Sequence, residues 1–168
     1  MDRHETYQIV KQITFELINS VEVRGRIGDN PILVPVLRAG LPMWDAVNIA
    51  LKHPQSTFVS ASKEKGTDCV NISWSKCPNL SGRNVLVLDT IIASGDTVIN
   101  ILRMIKEFSS GKARICVMSC YVSPEGLEKV LAEGKPDEII IGGISERVDD
   151  NGYLVPMTHG DLGDRLFG

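Results

Sequence analysis

Val85-Leu86-Val87-Leu88-Asp89-Thr90-Ile91-Ile92-Ala93-Ser94-Gly95-Asp96-Thr97 is the stretch on which the reading of this chain turns. Four apolar residues end in a carboxylate, and a continuous apolar run of that length fits a parallel strand covered on both faces. After Thr97, the residues Val98, Ile101, Leu102, Ile105 and Phe108 fall at helical spacing and predict one apolar stripe on a helix. Between strand and helix, Ser94, Gly95 and Thr97 offer two hydroxyls and free backbone N–H groups at the positive end of a helix. That is what a phosphate dianion requires. Asp89 falls where the carboxyl end of a strand opens into the crevice of an open α/β sheet. A plainer alternative is a βα unit in which Asp96 only caps the helix and Asp89 is a solvated strand-end carboxylate. The three-glycine dinucleotide fingerprint and the Gly-Lys-Ser/Thr of a P-loop are both missing.

Working outward, the 168 residues suit a single domain, 1–168, able to bury a core without staples. Hydrophobic residues make up 43% and charged residues 23%, an ordinary soluble composition. A net charge of −3 gives no basic field for nucleic acid. No apolar run is long enough for a membrane span, and the polar start Met1-Asp2-Arg3-His4-Glu5 does not read as a signal peptide. The expected compartment is the cytoplasm. Cys69, Cys77, Cys116 and Cys120 form no CxxC pair and read as reduced thiols, Cys116 and Cys120 as core residues of one strand face. His4, His53 and His159 are scattered, so no metal site made of protein ligands alone is expected.

A helix is predicted from Glu5 to Val23, ended by the turn-rich run from Arg24 to Asn30. Pro31 to Leu37 predicts a buried strand. Arg38-Ala39-Gly40-Leu41 is then a tight loop before a helix that starts at Pro42 and stops near His53-Pro54. Thr57 to Ala61 and Val70 to Trp74 predict strands flanking a polar loop, Ser62 to Asp68. Ala113 to Val122 predicts another strand. Ser123 and Pro124 predict the cap and first residue of a helix ending at Gly134. Glu138 to Ile141 is the last parallel strand expected. Ile144 to Pro156 reads as a hairpin turning at Asp149-Asp150-Asn151-Gly152, and the tail from Met157 to Gly168 reads as too rich in glycine and charge for a packed helix. The fold class is therefore α/β, an open twisted, mainly parallel sheet with helices on both faces and a C-terminal β-hairpin hood from about residue 143 to 168.

Three separated pieces resemble one family. The central stretch is similar to the PRPP signature of the type I phosphoribosyltransferases, with Thr90 in place of its second acid and Asp96 in place of its second glycine. Val34-Pro35-Val36-Leu37-Arg38-Ala39-Gly40-Leu41 resembles the Pro-Ile-Leu-Arg-Ala-Gly-Leu loop of the uracil phosphoribosyltransferases. Gly152-Tyr153-Leu154-Val155-Pro156, followed by Gly160-Asp161-Leu162-Gly163-Asp164-Arg165-Leu166-Phe167-Gly168, resembles that family's base-recognition segment. The resemblance covers nearly the whole chain, and an N-terminal arm found in the family is not expected in it.

The resemblance implies transfer of ribose 5-phosphate from PRPP to uracil or a related pyrimidine, with release of pyrophosphate. It places Ala93, Ser94, Gly95, Asp96 and Thr97 around the 5-phosphate and Arg38, Ala39 and Gly40 around the pyrophosphate. It puts Tyr153, Leu154, Val155, Met157, Gly160 and Asp161 around the base. Asp89, Arg38 and Asp161 would carry the chemistry, Lys63 or Lys65 would close a lid, and Mg²⁺ would arrive with PRPP. A homodimer is implied as well. Val155-Pro156-Met157-Thr158-His159-Gly160-Asp161 is one residue longer than the family's Val-Pro-Gly-Leu-Gly-Asp run, which leaves the base open. The family's lid arginine has no counterpart in Ser62 to Asp68. The alternative is a non-catalytic protein on the same fold that senses PRPP or a nucleotide.

Overall fold

A computed structural model describes residues 2–63, 70–150, 152–155 and 162–168. The predicted lid residue Lys65 and the predicted base contacts Met157, Gly160 and Asp161 lie outside the described residues, as does Cys69. Lys63 is described only in its backbone.

The chain opens with helix α1 (Arg3–Asn19), capped by the Asp2 carboxylate, which accepts from Glu5 N while the Glu5 carboxylate accepts from Asp2 N. Helix α1 does not run on to Val23 as expected. It stops at Ser20, whose extended backbone (ψ 128°) breaks the ladder, and a second helix, α2 (Val21–Ile27), takes up the residues read as a turn. Ile27, 2% exposed, repays the extra turn of helix by entering the core. Strand β1 (Ile32–Leu37) and helix α3 (Leu41–Ala50) follow as expected, with Pro42 in the first helical turn. Strand β2 (Val59–Lys63) begins later than predicted and extends into the polar run, where it pairs antiparallel with β3 (Val70–Trp74).

Strand β4 (Asn84–Leu88) and the short β5 (Ile91–Ile92) pair in one continuous register along β6 (Arg114–Val122). Asp89 and Thr90 stay in that line through Asp89 N to Met118 O and Tyr121 N to Thr90 O, both 3.1 Å. Helix α4 (Asp96–Phe108) buries Val98, Ile101, Leu102 and Ile105, but Phe108 is 47% exposed and leaves the predicted stripe. It is the last residue of the helix and lies edge to face against Trp74. Helix α5 (Pro124–Lys129) continues as a π-turn over Val130–Gly134, and β7 (Glu138–Ile144) runs three residues beyond expectation.

The sheet order is β3-β2-β1-β4-β6, with β7 on the far side of β6, and every pairing but β2–β3 is parallel. Alternation along the strands splits the core. Val85 and Val87 join α4 on one face, with Ile32, Val34, Ile115 and Val117. Leu86 and Leu88 join α1 and α3 on the other, with Leu33, Cys116 and Met118. Cys116 and Cys120 share that second face, as expected. A hairpin of β8 (Arg147–Val148) and β9 (Leu154–Val155) closes the C-terminal region, with Gly152 at φ +84° in its turn. The tail also forms a helix, α6 (Leu162–Phe167), contrary to expectation. Leu166 is 7% exposed, and Leu162 packs with the α1 and α3 core, so tertiary burial overrides weak local propensity. Among the described residues no helix is long and apolar enough to cross a membrane.

Candidate active site

The carboxyl ends of β1 and β4 face one cleft of about 340 Å³. Its walls bring together Arg38 and Ala39 after β1, Asp89 after β4, and Ala93 and Thr97 around the start of α4. Gly152, Tyr153 and Leu154 of the hairpin and Leu162 and Gly163 of α6 close another side. The two loops predicted to hold the two anionic ends of one ligand therefore share a single cavity.

Local chemistry fixes that juxtaposition. Gly40 N donates to Val36 O at 2.8 Å, turning the chain sharply at the end of β1. The Thr90 hydroxyl, 1% exposed, donates to Ala39 O at 2.6 Å and pins the first loop to the line of the central strand. The Ser119 hydroxyl in turn donates to Thr90 O at 3.2 Å. Thr90, which stands where the general type I signature has a second acid, is a buried tie between the two loops. A Cβ on Gly40 would lie 2.7 Å from both Leu88 O and Val36 O, so only glycine fits between the two strand ends. The peptide between Leu37 and Arg38 is cis.

The second loop turns at Gly95, the N-cap of α4, with φ +80°. This settles the plainer alternative for Asp96: the residue is the first of the helix, not its cap, and its carboxylate accepts from the Ser94 hydroxyl at 2.8 Å and from Lys129 Nζ at 2.6 Å. Ala93 and Thr97 line the cleft, whereas Ser94, Gly95 and Asp96 do not. Arg38, exposed, donates to the Asp164 carboxylate of α6, a contact the sequence reading missed. Leu162 and Leu166, four apart in the tail, carried a signal for the helix that supplies Asp164. Tyr153 is half-buried and Leu154 fully buried, both in the cleft wall, while Val155 lies outside it. Cys120, buried in the α1 and α3 core, has its thiol pKa pushed up to about 11, chiefly by burial, with the Thr14 hydroxyl lowering it and the Asp89 charge raising it.

Among the described residues, no group of three or more His, Cys, Asp or Glu is placed to hold a metal by itself. Asp89 is an oxygen donor on the cleft wall, and it fits a hard cation whose remaining ligands come with a phosphorylated substrate.

A sequence model of the family described as uracil phosphoribosyltransferase matches residues 5–168. The uracil phosphoribosyltransferase of Aquifex aeolicus is 32% identical over 170 residues, covering 96% of this chain and 79% of that protein. The enzyme of the same name from Thermococcus kodakarensis is 29% identical over 180 residues, covering all of this chain and 76% of that protein. Among solved structures, one from Aquifex aeolicus superposes with a TM-score of 0.80 at 28% identity, covering 98% of this chain and 85% of that one. A purine phosphoribosyltransferase from Pyrococcus horikoshii superposes at 0.64 and 18% identity, covering 90% and 93%, a likeness of fold.

Proposed function

The chain belongs to the uracil phosphoribosyltransferase family, with the type I phosphoribosyltransferase fold, and from that premise we propose that it transfers ribose 5-phosphate from PRPP to uracil or a closely related pyrimidine. The observation that carries this reading is the single cleft shared by Arg38 and Ala39 on one side and Asp89, Ala93 and Thr97 on the other. A sugar bearing a phosphate at one end and a pyrophosphate at the other needs two anion cradles one ribose apart.

In this reaction the C1′ bond to a pyrophosphate oxygen breaks, a C1′ bond to a base nitrogen forms, and that nitrogen gives up its proton. Positive charge grows on the ribose while negative charge grows on the leaving group, so fixed charges do the work of a nucleophile. The N–H groups at the start of α4 and the Thr97 hydroxyl hold the 5-phosphate. Arg38 and the backbone after β1 take the pyrophosphate. Asp89 accepts from the ribose hydroxyls and faces the developing positive charge. Asp89, with oxygens of PRPP, would hold a divalent cation that would supply charge neutralisation at the leaving group.

The hairpin and α6, within residues 143–168, act as a hood over the base, with Tyr153 and Leu154 against its ring. Met157, Gly160 and Asp161 complete the base contacts, and Lys63 and Lys65 belong to a lid that keeps water from PRPP. The chain works as one domain and as a homodimer. Cys77, Cys116 and Cys120 carry free thiols, which supports a reducing, cytoplasmic setting.

The test is a pyrophosphate-release assay with Mg-PRPP and a panel of bases. Turnover with uracil or another pyrimidine is the expected result. PRPP binding without turnover on any base would replace the enzyme with a PRPP sensor.

A further inference from the structure

Asp96 places a carboxylate in the first turn of α4, within the loop that receives a phosphate dianion. A negative charge there stabilises an empty helix N-terminus but repels a second anion at the same place. The structure answers this repulsion from behind. Helix α5 and its π-turn press on the loop at several points. The Ser123 hydroxyl donates to Ala93 O at 2.6 Å while accepting from Gly126 N at 2.8 Å. A Cβ on Gly126 would lie 2.1 Å from Ala93 O, and one on Gly95 would lie 2.9 Å from Val130 Cγ2. From that wall Lys129 reaches Asp96 Oδ1 at 2.6 Å, and Asp96 Oδ2 holds the Ser94 hydroxyl at 2.8 Å. The Asp96 side chain is 21% exposed and that of Lys129 42% exposed. The cleft is lined by the residues on either side of this group, Ala93 and Thr97.

We infer that Lys129 is a positioning residue of the phosphate loop: it neutralises Asp96 and holds that carboxylate, together with the Ser94 hydroxyl, away from the incoming 5-phosphate. The inference rests on the PRPP reading above and deepens it. An ordinary exposed ion pair contributes little to stability and nothing to ligand binding. Here the pair sets the net charge of the loop that the ligand must approach, so its effect is on affinity. Lys129 also explains how an acid can stand at the position where the resembled signature has its second glycine.

The experiment is a double-mutant cycle of Lys129→Met and Asp96→Gly, read by the KM for PRPP, by kcat, and by calorimetric binding of Mg-PRPP and of inorganic phosphate. Lys129→Met is expected to raise the KM for PRPP about tenfold at low ionic strength, less at high salt, with kcat within about twofold. Lys129→Arg should keep near-normal binding, since it keeps the charge. In the Asp96→Gly background, Lys129→Met should change KM by less than about twofold, because the charge it balances is gone. An unchanged KM for Lys129→Met in the native background overturns the inference. So does an equal rise in both backgrounds, which would mark a contact to the ligand or a loss of folding. If the unaltered chain binds phosphate but not PRPP, the functional reading falls and the cycle is read with phosphate. If it binds neither, both fall.

Discussion

Replacing Gly40 by alanine tests the link between backbone packing and catalysis most directly. Gly40 has φ −72° and ψ −7°, a conformation open to any residue, so alanine meets no dihedral strain. The whole penalty is steric. The new Cβ would sit 2.7 Å from Leu88 O, 2.7 Å from Val36 O and 2.9 Å from Val36 N, all backbone atoms of central strands. Ordinary contact starts at 3.4 Å, so something must retreat by about 0.7 Å. The strands β1 and β4 are locked in a shared parallel ladder from Ile32–Val85 to Pro35–Leu88, so the loop carrying Arg38 and Ala39 moves instead. Overpacking of this kind costs about 1–3 kcal/mol. Loss of glycine's freedom in the unfolded chain returns about 0.4–1 kcal/mol. The net destabilisation is at most about 2.6 kcal/mol and centres near 1.3 kcal/mol, a fall in melting temperature of roughly 3–5 °C at that centre for a chain of this size. The catalytic loss is larger, since a misplacement near 1 Å in a positioning loop costs on the order of a hundredfold. Urea unfolding and steady-state kinetics with PRPP measure both. A Gly40→Ala protein of native kcat/KM, or one stabilised by the unfolded-chain effect alone, would refute the argument that the loop is held by this close approach.

Three further outcomes follow from the same geometry. Ser123→Ala removes both the cap of α5 and the tie to Ala93 O, and should cost about 1–2 kcal/mol in denaturant unfolding together with a weaker affinity for PRPP. On the proposed role of Arg38 in pyrophosphate binding, Asp164→Asn should remove a competing carboxylate; the side chains are 50% and 69% exposed, so stability should change by less than about 0.5 kcal/mol while pyrophosphate inhibits a few-fold more strongly. Cys116 is pushed up to about 12 and Cys120 to about 11, chiefly by burial, against an ordinary value of 9.0. Their raised values favour the folded state below pH 9, and this stability is lost as pH climbs towards 11–12, because only the unfolded thiols ionise in that window. Each thiol adds a slope of about 1.4 kcal/mol per pH unit, and a Cys116→Ala/Cys120→Ala protein should show a shallower decline in urea unfolding above pH 9.

The sequence carried the strands and the two loops because their signals are local. An apolar run ending in Asp89, Pro42 two residues after Gly40, and a Ser123-Pro124 helix start each act through neighbours a few residues away, and each appears where expected. The Asn151-Gly152 turn signal likewise marked the hairpin of β8 and β9. By itself the sequence determined an open, mainly parallel α/β sheet, the loops that follow its first and central strands, and their order along the chain.

Long-range contacts decided the rest. Helix α6 forms because Leu162 packs against the core built with α1 and α3 and Leu166 is buried, which no local propensity records. Arg38 meets Asp164 across 126 positions, Thr90 meets Ala39 across 51, and Asp96 meets Lys129 across 33. In sequence Thr90 and Asp96 read as departures from the general type I signature, with Asp96 also a candidate helix cap. Packing makes the first a buried tie between the loops and gives the second a cation, since the energy of a charge or a buried hydroxyl depends on what stands within a few ångströms of it in space.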